Sequence, residues 1–264
     1  MSTRSSSGDP AHTLALLWRQ EAPPARGPKP SLSVDAVVKV AIRMADGGGI
    51  EAVTMRALAT KLGVTPMALY RYVPGRAELV DLMLDSVYAG MKRRRGLGGW
   101  RGRIEAVAHE NRALHDKHPW IASIATGRPP LGPGVIAKYD YELGALAGTG
   151  LSDVEMDAAL TFVLGFVEAC ARAAADARAT ERETRMSDGQ WWKANESLLA
   201  RVFEPSSYPL AARVGAAVGA AHGSAFDAEH AYAFGLERVL DGLEALIRTR
   251  RRRRTKRARD QTAK

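Results

Sequence analysis

Residues 52–84 read AVTMRALATKLGVTPMALYRYVPGRAELVDLML. Two short apolar-periodic segments flank LGVTP, and the second carries Tyr70, Arg71 and Tyr72 before Pro74-Gly75 stops it. Thr54 caps the first segment, whose Met55, Leu58, Ala59 and Leu62 fall on one face. Gly63 supplies a tight turn. Thr65 caps the second segment, and Pro66 takes its first helical position, where a missing N–H costs nothing. The pattern predicts helices over 54–61 and from 65 to about Val73. Two helices joined by a short glycine-containing turn form a helix-turn-helix.

In that geometry one helix crosses a phosphate backbone, and the N-terminal part of the other enters the major groove. A groove only about 12 Å wide needs a short helix whose few side chains reach phosphates and base edges. Thr54 and Arg56 stand at the start of the crossing helix. Thr65, Met67 and Ala68 stand at the entering end, where small polar and apolar groups read base edges or thymine methyls. Tyr70, Tyr72 and Arg76 are expected to grip phosphates, and Arg71 suits either target. Short amphipathic helix pairs also occur in proteins that bind no DNA. Leu58, Leu62, Val64 and Leu69 read as core either way.

Working outward, Ser33 caps a preceding helix with Asp35 in its first turn and Val34, Val37, Val38, Ala41, Ile42 and Ala45 on one face; DGGG at 46–49 ends it. A fourth helix over 76–91 has Leu79, Leu82, Met83 and Val87 inward. The glycine-rich, basic KRRRGLGGWRGR at 92–103 marks the boundary with a larger helical body, with helices expected at 103–117, 134–148, 153–179 and 228–248. Residues 180–227 are expected to be irregular with one or two short helices. Residues 1–30, serine- and proline-rich, read as a flexible leader without a core.

The 264-residue chain is 46% hydrophobic and nearly lacks β-branched alternation, which predicts an all-α fold: a three-helix helix-turn-helix domain at 31–91 and a larger helical domain at 92–248. Its single cysteine, Cys170, excludes an internal disulfide and reads as a small buried filler in an apolar run. No segment reads as a membrane span, and the start reads as no signal peptide, so a cytoplasmic location is expected. The net charge is +9, and residues 248–259, RTRRRRRTKRAR, hold nine Lys or Arg and no acid, so the rest is near neutral. That basic tail (249–264) is either solvated or a source of sequence-independent affinity for a polyanion.

The run from Leu32 to Met91, with Thr54-Met55-Arg56, Leu62-Gly63-Val64 and Leu69-Tyr70-x-Tyr72-Val73, resembles the N-terminal domain of TetR-family transcriptional regulators. HPWIASIATGRPPLGPG (118–134) and AYAFGLERVLDGLEALI (231–247) resemble the tetracycline-repressor type of C-terminal domain. The resemblance implies a homodimer that represses transcription from double-stranded operator DNA and leaves it when a small-molecule effector enters the body. It places the dimer interface on 153–179 and 228–248, through Phe234, Leu236, Val239, Leu240, Leu243 and Leu246. Family members that hold magnesium–tetracycline use histidines where this chain has Ile124 and Lys92, so that inducer is not expected.

Trp120, Ile124, Tyr139, Phe162 and Phe166 are the candidate effector-pocket residues, because aromatic and aliphatic groups dominate such sites. Each fits plain core more readily than ligand contact. His109, His115 and His118 have no cysteine nearby and only scattered acids, so neither metal nor cofactor is expected. No nucleophile–base pair or phosphate loop points to an enzyme. The alternatives are a regulator without an inducer, one that activates, and, behind these, an enzyme with a DNA-binding-like N-terminal domain.

Overall fold

A computed structural model of the chain describes residues 9–20, 32–94, 98–124 and 127–262, with 255–262 described by backbone alone. The described residues are helical, without a strand. The head is α2 (Val34–Gly48), a 3-10 turn at Ile50–Ala52, α3 (Met55–Leu62), α4 (Pro66–Tyr70) and α5 (Arg76–Ala89). Its starts follow the capping residues read from sequence. The hydroxyls of Ser33, Thr54 and Thr65 accept from the N–H groups of Ala36, Ala57 and Ala68 at 3.1, 3.1 and 3.2 Å. Gly63 adopts φ +69°, the left-handed region, and the Val64 N–H then returns to the Ala59 carbonyl. The fourth element is shorter than the sequence suggests. Leu69 O accepts from both Tyr72 and Val73 N–H groups, so the chain peels away before Pro74.

Inside the head Val37, Val38, Ala41, Leu58, Leu69, Val73, Leu79 and Val80 are buried together. Residues 9–20 depart from the expected coreless leader; 1–8 and 21–30 lie outside the described residues. Here α1 (Pro10–Leu17), capped by Asp9, buries Leu16 and Leu17 in the same cluster. Trp18 Nε1 donates to Leu131 O at 2.9 Å, and Arg19 pairs with Asp35. The segment therefore straps the head to the body.

The body comprises α6 (Trp100–Lys117), a 3-10 turn at Pro119–Ser123, α7 (Pro133–Gly144), α8 (Asp153–Thr184), α9 (Asp188–Val202), α10 (Pro209–His222) and α11 (Ala228–Thr262). Its core joins Ile104 and Val107 of α6, Leu160, Val163 and Val167 of α8, and Tyr232, Leu236, Leu240, Leu243 and Ile247 of α11. Three of the residues assigned to a dimer seam, Leu236, Leu240 and Leu243, are thus spent within the chain; Phe234 remains exposed. By length and composition α8 is apolar enough to cross a bilayer, contrary to the sequence reading, but Leu160, Val163 and Val167 are committed to this core. Cys170 is half-buried, and burial pushes its thiol pKa up, which suits an inert filler.

Two further expectations change. Residues 180–227 hold two regular helices of 15 and 14 residues, because the Ser187–Gln190 capping box starts α9 and Pro209 opens α10. The basic tail continues α11 as helix to Thr262. Arginine is a good helix former, and no glycine or proline interrupts the run.

Candidate DNA interface and effector cavity

The helix pair offers a coherent outer face. Thr54, Arg56, Thr65 and Arg71 are exposed, Met67 is 76% exposed and Tyr70 43%. Each capping threonine uses its oxygen as an acceptor inside the head, so its O–H stays available to donate outward to a phosphate. Ala68 is half-buried, and Tyr72 is half-buried against the head core, which leaves only its outer part for contact. Arg76 requires correction. Its guanidinium turns inward, donating to Val53 O and Ile50 O at 3.0 Å each, beside Glu51. It clamps the loop before α3 onto the start of α5 and so positions the helix pair. Lys61, exposed in the last turn of α3, is a cation the sequence reading passed over.

A second site lies where α5, α6, α7 and α8 converge around a cavity of about 470 Å³. Leu84 and Tyr88 of α5, Ile121, Pro129, Val135 and Leu164 give it apolar walls, and Leu131, Ile136 and Tyr139 stand at its exposed edge. Its floor is polar. The Lys138 ammonium lies 2.8 Å from the Glu142 carboxylate, which also accepts from Asn111 Nδ2 at 2.6 Å. Glu142 is only 1% exposed, and the ammonium sits 5.2 Å from the Tyr88 ring centroid. His115 also lines the cavity; its Nδ1 is buried without a hydrogen-bond partner, and burial lowers its pKa, which favours neutral imidazole.

Of the five aromatic and aliphatic candidates, only Tyr139 reaches this cavity, its hydroxyl donating to Asp157 at 2.7 Å. Trp120 and Ile124 are core, and Trp120 Nε1 donates to Asp46 of α2 at 2.8 Å. Phe162 is 60% exposed, and Phe166 stacks on Tyr232 over Gly235. Aromatic character alone selected residues that pack elsewhere. The sequence reading passed over the polar floor, since an i,i+4 Lys–Glu spacing is ordinarily that of a solvated helix pair and nothing local marks this one as enclosed. The three histidines separate likewise: His118 Nδ1 lies 2.7 Å from Asp46, and His109 packs on Tyr232.

The cavity and the head share α5. Asp85 O lies so near Gly134 that a Cβ there would come within 2.1 Å, and the Asp85 carboxylate accepts from Val135 N–H at 2.9 Å. Burial raises the Asp85 pKa, against the hydrogen bonds from the Val135 and Gly134 N–H groups that lower it. The inner half of α5 is therefore keyed into α7, while Leu79 and Val80 sit in the head core.

A helix-turn-helix head joined through one shared helix to a cavity-bearing helical body defines a DNA-binding transcription regulator. Residues 37–83 match the model of the bacterial regulatory proteins of the tetR family, and 94–247 match the tetracyclin repressor-like C-terminal domain. The chain is 41% identical over 249 residues to the HTH-type transcriptional repressor DrrR1 of Streptomyces coeruleorubidus, covering 94% of this chain and 90% of that one. Among solved structures, the TetR family protein ActR of Streptomyces coelicolor in complex with actinorhodin superimposes with a TM-score of 0.69 at 25% identity, covering 82% of this chain and 97% of that one. Apo ActR gives 0.65 at the same identity, covering 82% and 98%. This chain belongs to the TetR family of transcriptional regulators.

Proposed function

We propose that the protein is a cytoplasmic, homodimeric transcriptional repressor, released from its operator when a small molecule occupies the cavity beside α5. The carrying observation is that Leu84 and Tyr88 of the cavity wall belong to the helix whose other half is head core. A ligand that favours one setting of α5 changes the spacing of two heads in a dimer. Operator and ligand binding then share one coupling energy. Repressor action is supported by the likeness to DrrR1, and a small-molecule effector by the actinorhodin complex of ActR. The second copy has exposed apolar surface to meet, including Phe162 and Phe234 and helices α9 and α10, neither of which buries a residue in the single chain. Double-stranded DNA is the partner of the face carrying Thr54, Arg56, Thr65, Met67, Ala68, Tyr70 and Arg71.

The test maps the operator by footprinting and then titrates actinorhodin and a panel of small molecules into the complex. Leu164→Trp, which fills the cavity from α8, is expected to retain operator affinity and lose release. Release that persists in this variant places the effector elsewhere. At the head, Tyr70→Ala is expected to weaken operator binding several-fold, about 1 kcal/mol for one lost phosphate hydrogen bond, with unchanged thermal stability. Equal affinity of variant and parent in a gel-shift titration removes Tyr70 from the contact face.

A further inference from the structure

We propose that the arginine-rich end of α11 is a second nucleic-acid-binding arm, holding a duplex segment other than the one under the heads. Its direction carries the argument. At its C-terminal end α6 meets the head, where His118 and Trp120 hold Asp46 of α2. Arg112 of α6 pairs with Glu229 at the start of α11, whereas Arg101, a few turns earlier, pairs with Asp241 and Glu244. The two helices are therefore antiparallel, and α11 runs away from the head. From Lys117 back to Arg101 is about 24 Å and from Glu244 on to Thr262 about a further 27 Å, at 1.5 Å per residue. The arm leaves the body at the end opposite to the DNA face.

It leaves on a fixed base. Arg250 pairs with Glu155, and Arg251 Nε donates to Thr149 O at 3.3 Å, so the first arginines of the run anchor α11 to the start of α8. Beyond them Arg252, Arg253 and Arg254 are exposed, and Lys256, Arg257 and Arg259 follow in sequence before Asp260. Such a charge density matches a polyphosphate backbone. A membrane-surface helix would need an apolar face, and residues 250–259 contain no Leu, Ile, Val, Met or aromatic residue. The arm therefore fits a nucleic acid, and a protein with heads at one end and arms at the other bridges two segments.

The experiment saturates the full-length protein with a short immobilised operator duplex and measures capture of a labelled non-operator duplex in solution. The full chain is expected to capture it, with capture falling steeply as salt rises. Truncation after Arg251, and separately the triple variant Arg252→Gln, Arg253→Gln, Arg254→Gln, are expected to reduce capture by about tenfold or more. Operator affinity and its salt slope should stay within about twofold in both, because the arm does not reach that duplex. Unchanged capture in both variants overturns the proposal. So does a weaker, flatter operator titration without loss of capture, which would mean the arm folds onto the operator itself. Binding of phosphatidylserine vesicles in preference to duplex overturns the assignment of partner. Because operator affinity is read separately, failure here leaves the repressor reading standing.

Discussion

Replacing Glu142 with alanine is expected to lower the stability of the folded protein by about 3–5 kcal/mol, the range for removing one partner of a buried ion pair. The carboxylate is almost wholly enclosed and serves two donors, the Lys138 ammonium and the Asn111 amide. Without it a nearly buried cation loses its paired carboxylate and keeps the face of Tyr88, 5.2 Å away, and an amide hydrogen has lost its acceptor. Urea denaturation at one fixed protein concentration measures the loss, because the proposed dimer would make the apparent stability concentration-dependent. Glu142→Gln keeps an acceptor for Asn111 and should fall between the two. Joint replacement, Lys138→Met with Glu142→Leu, should recover most of the loss, because the desolvation of both charges disappears together. A midpoint for Glu142→Ala within experimental error of the parent would show that solvent already reaches this pair.

The second large effect is expected at Gly134. A methyl group there would meet the Asp85 carbonyl oxygen at 2.1 Å and the Ala89 backbone nitrogen and Cβ at 3.0 Å. The closest obstacles are backbone atoms of α5, which cannot swing aside as a side-chain tip can. Gly134→Ala should therefore force α7 off α5 and destabilise the protein by about 3 kcal/mol, at the upper end for overpacking. Gly144 in the same helix has nothing within 4 Å of its added Cβ. Gly144→Ala should be neutral or stabilising by up to about 1 kcal/mol, through helix propensity alone. Opposite signs at two glycines of one helix separate contact from propensity. Equal thermal midpoints for both variants would contradict the tight α5–α7 seat. If that seat transmits the effector signal, Gly134→Ala should also shift the ligand concentration needed for operator release, whereas Gly144→Ala should not.

The head was legible because its signals are local. Ser33, Thr54 and Thr65 cap their helices through hydrogen bonds three residues long, and Gly63 takes the left-handed turn that only its own backbone must accommodate. The body was legible as helices but not as a site. Lys138 and Glu142 look like a solvated pair until Asn111, 31 residues away, and Tyr88, on another helix, close over them. Phe162 and Trp120 differ by fold placement alone, one outside and one inside, and nothing in their immediate sequence distinguishes them. Arg76 misled for a related reason. A basic residue after a turn reads as a phosphate ligand, yet the carbonyls of Ile50 and Val53 belong to a loop more than 20 residues earlier. The α1 strap escaped notice because eight helical residues between a serine-rich start and a proline run carry too little periodicity to register.

The double membership of α5 has a consequence for recombination. Its first turns are furniture of the helix-turn-helix unit, while Leu84 and Tyr88 wall the cavity and Asp85 seats α7. A hybrid regulator spliced after Ala89 would import a foreign half-wall into that cavity. A splice at Pro74-Gly75 fares no better, since it parts Arg76, Leu79 and Val80 from the head residues they hold, so exchange among such proteins has to carry both faces of this helix matched to their neighbours.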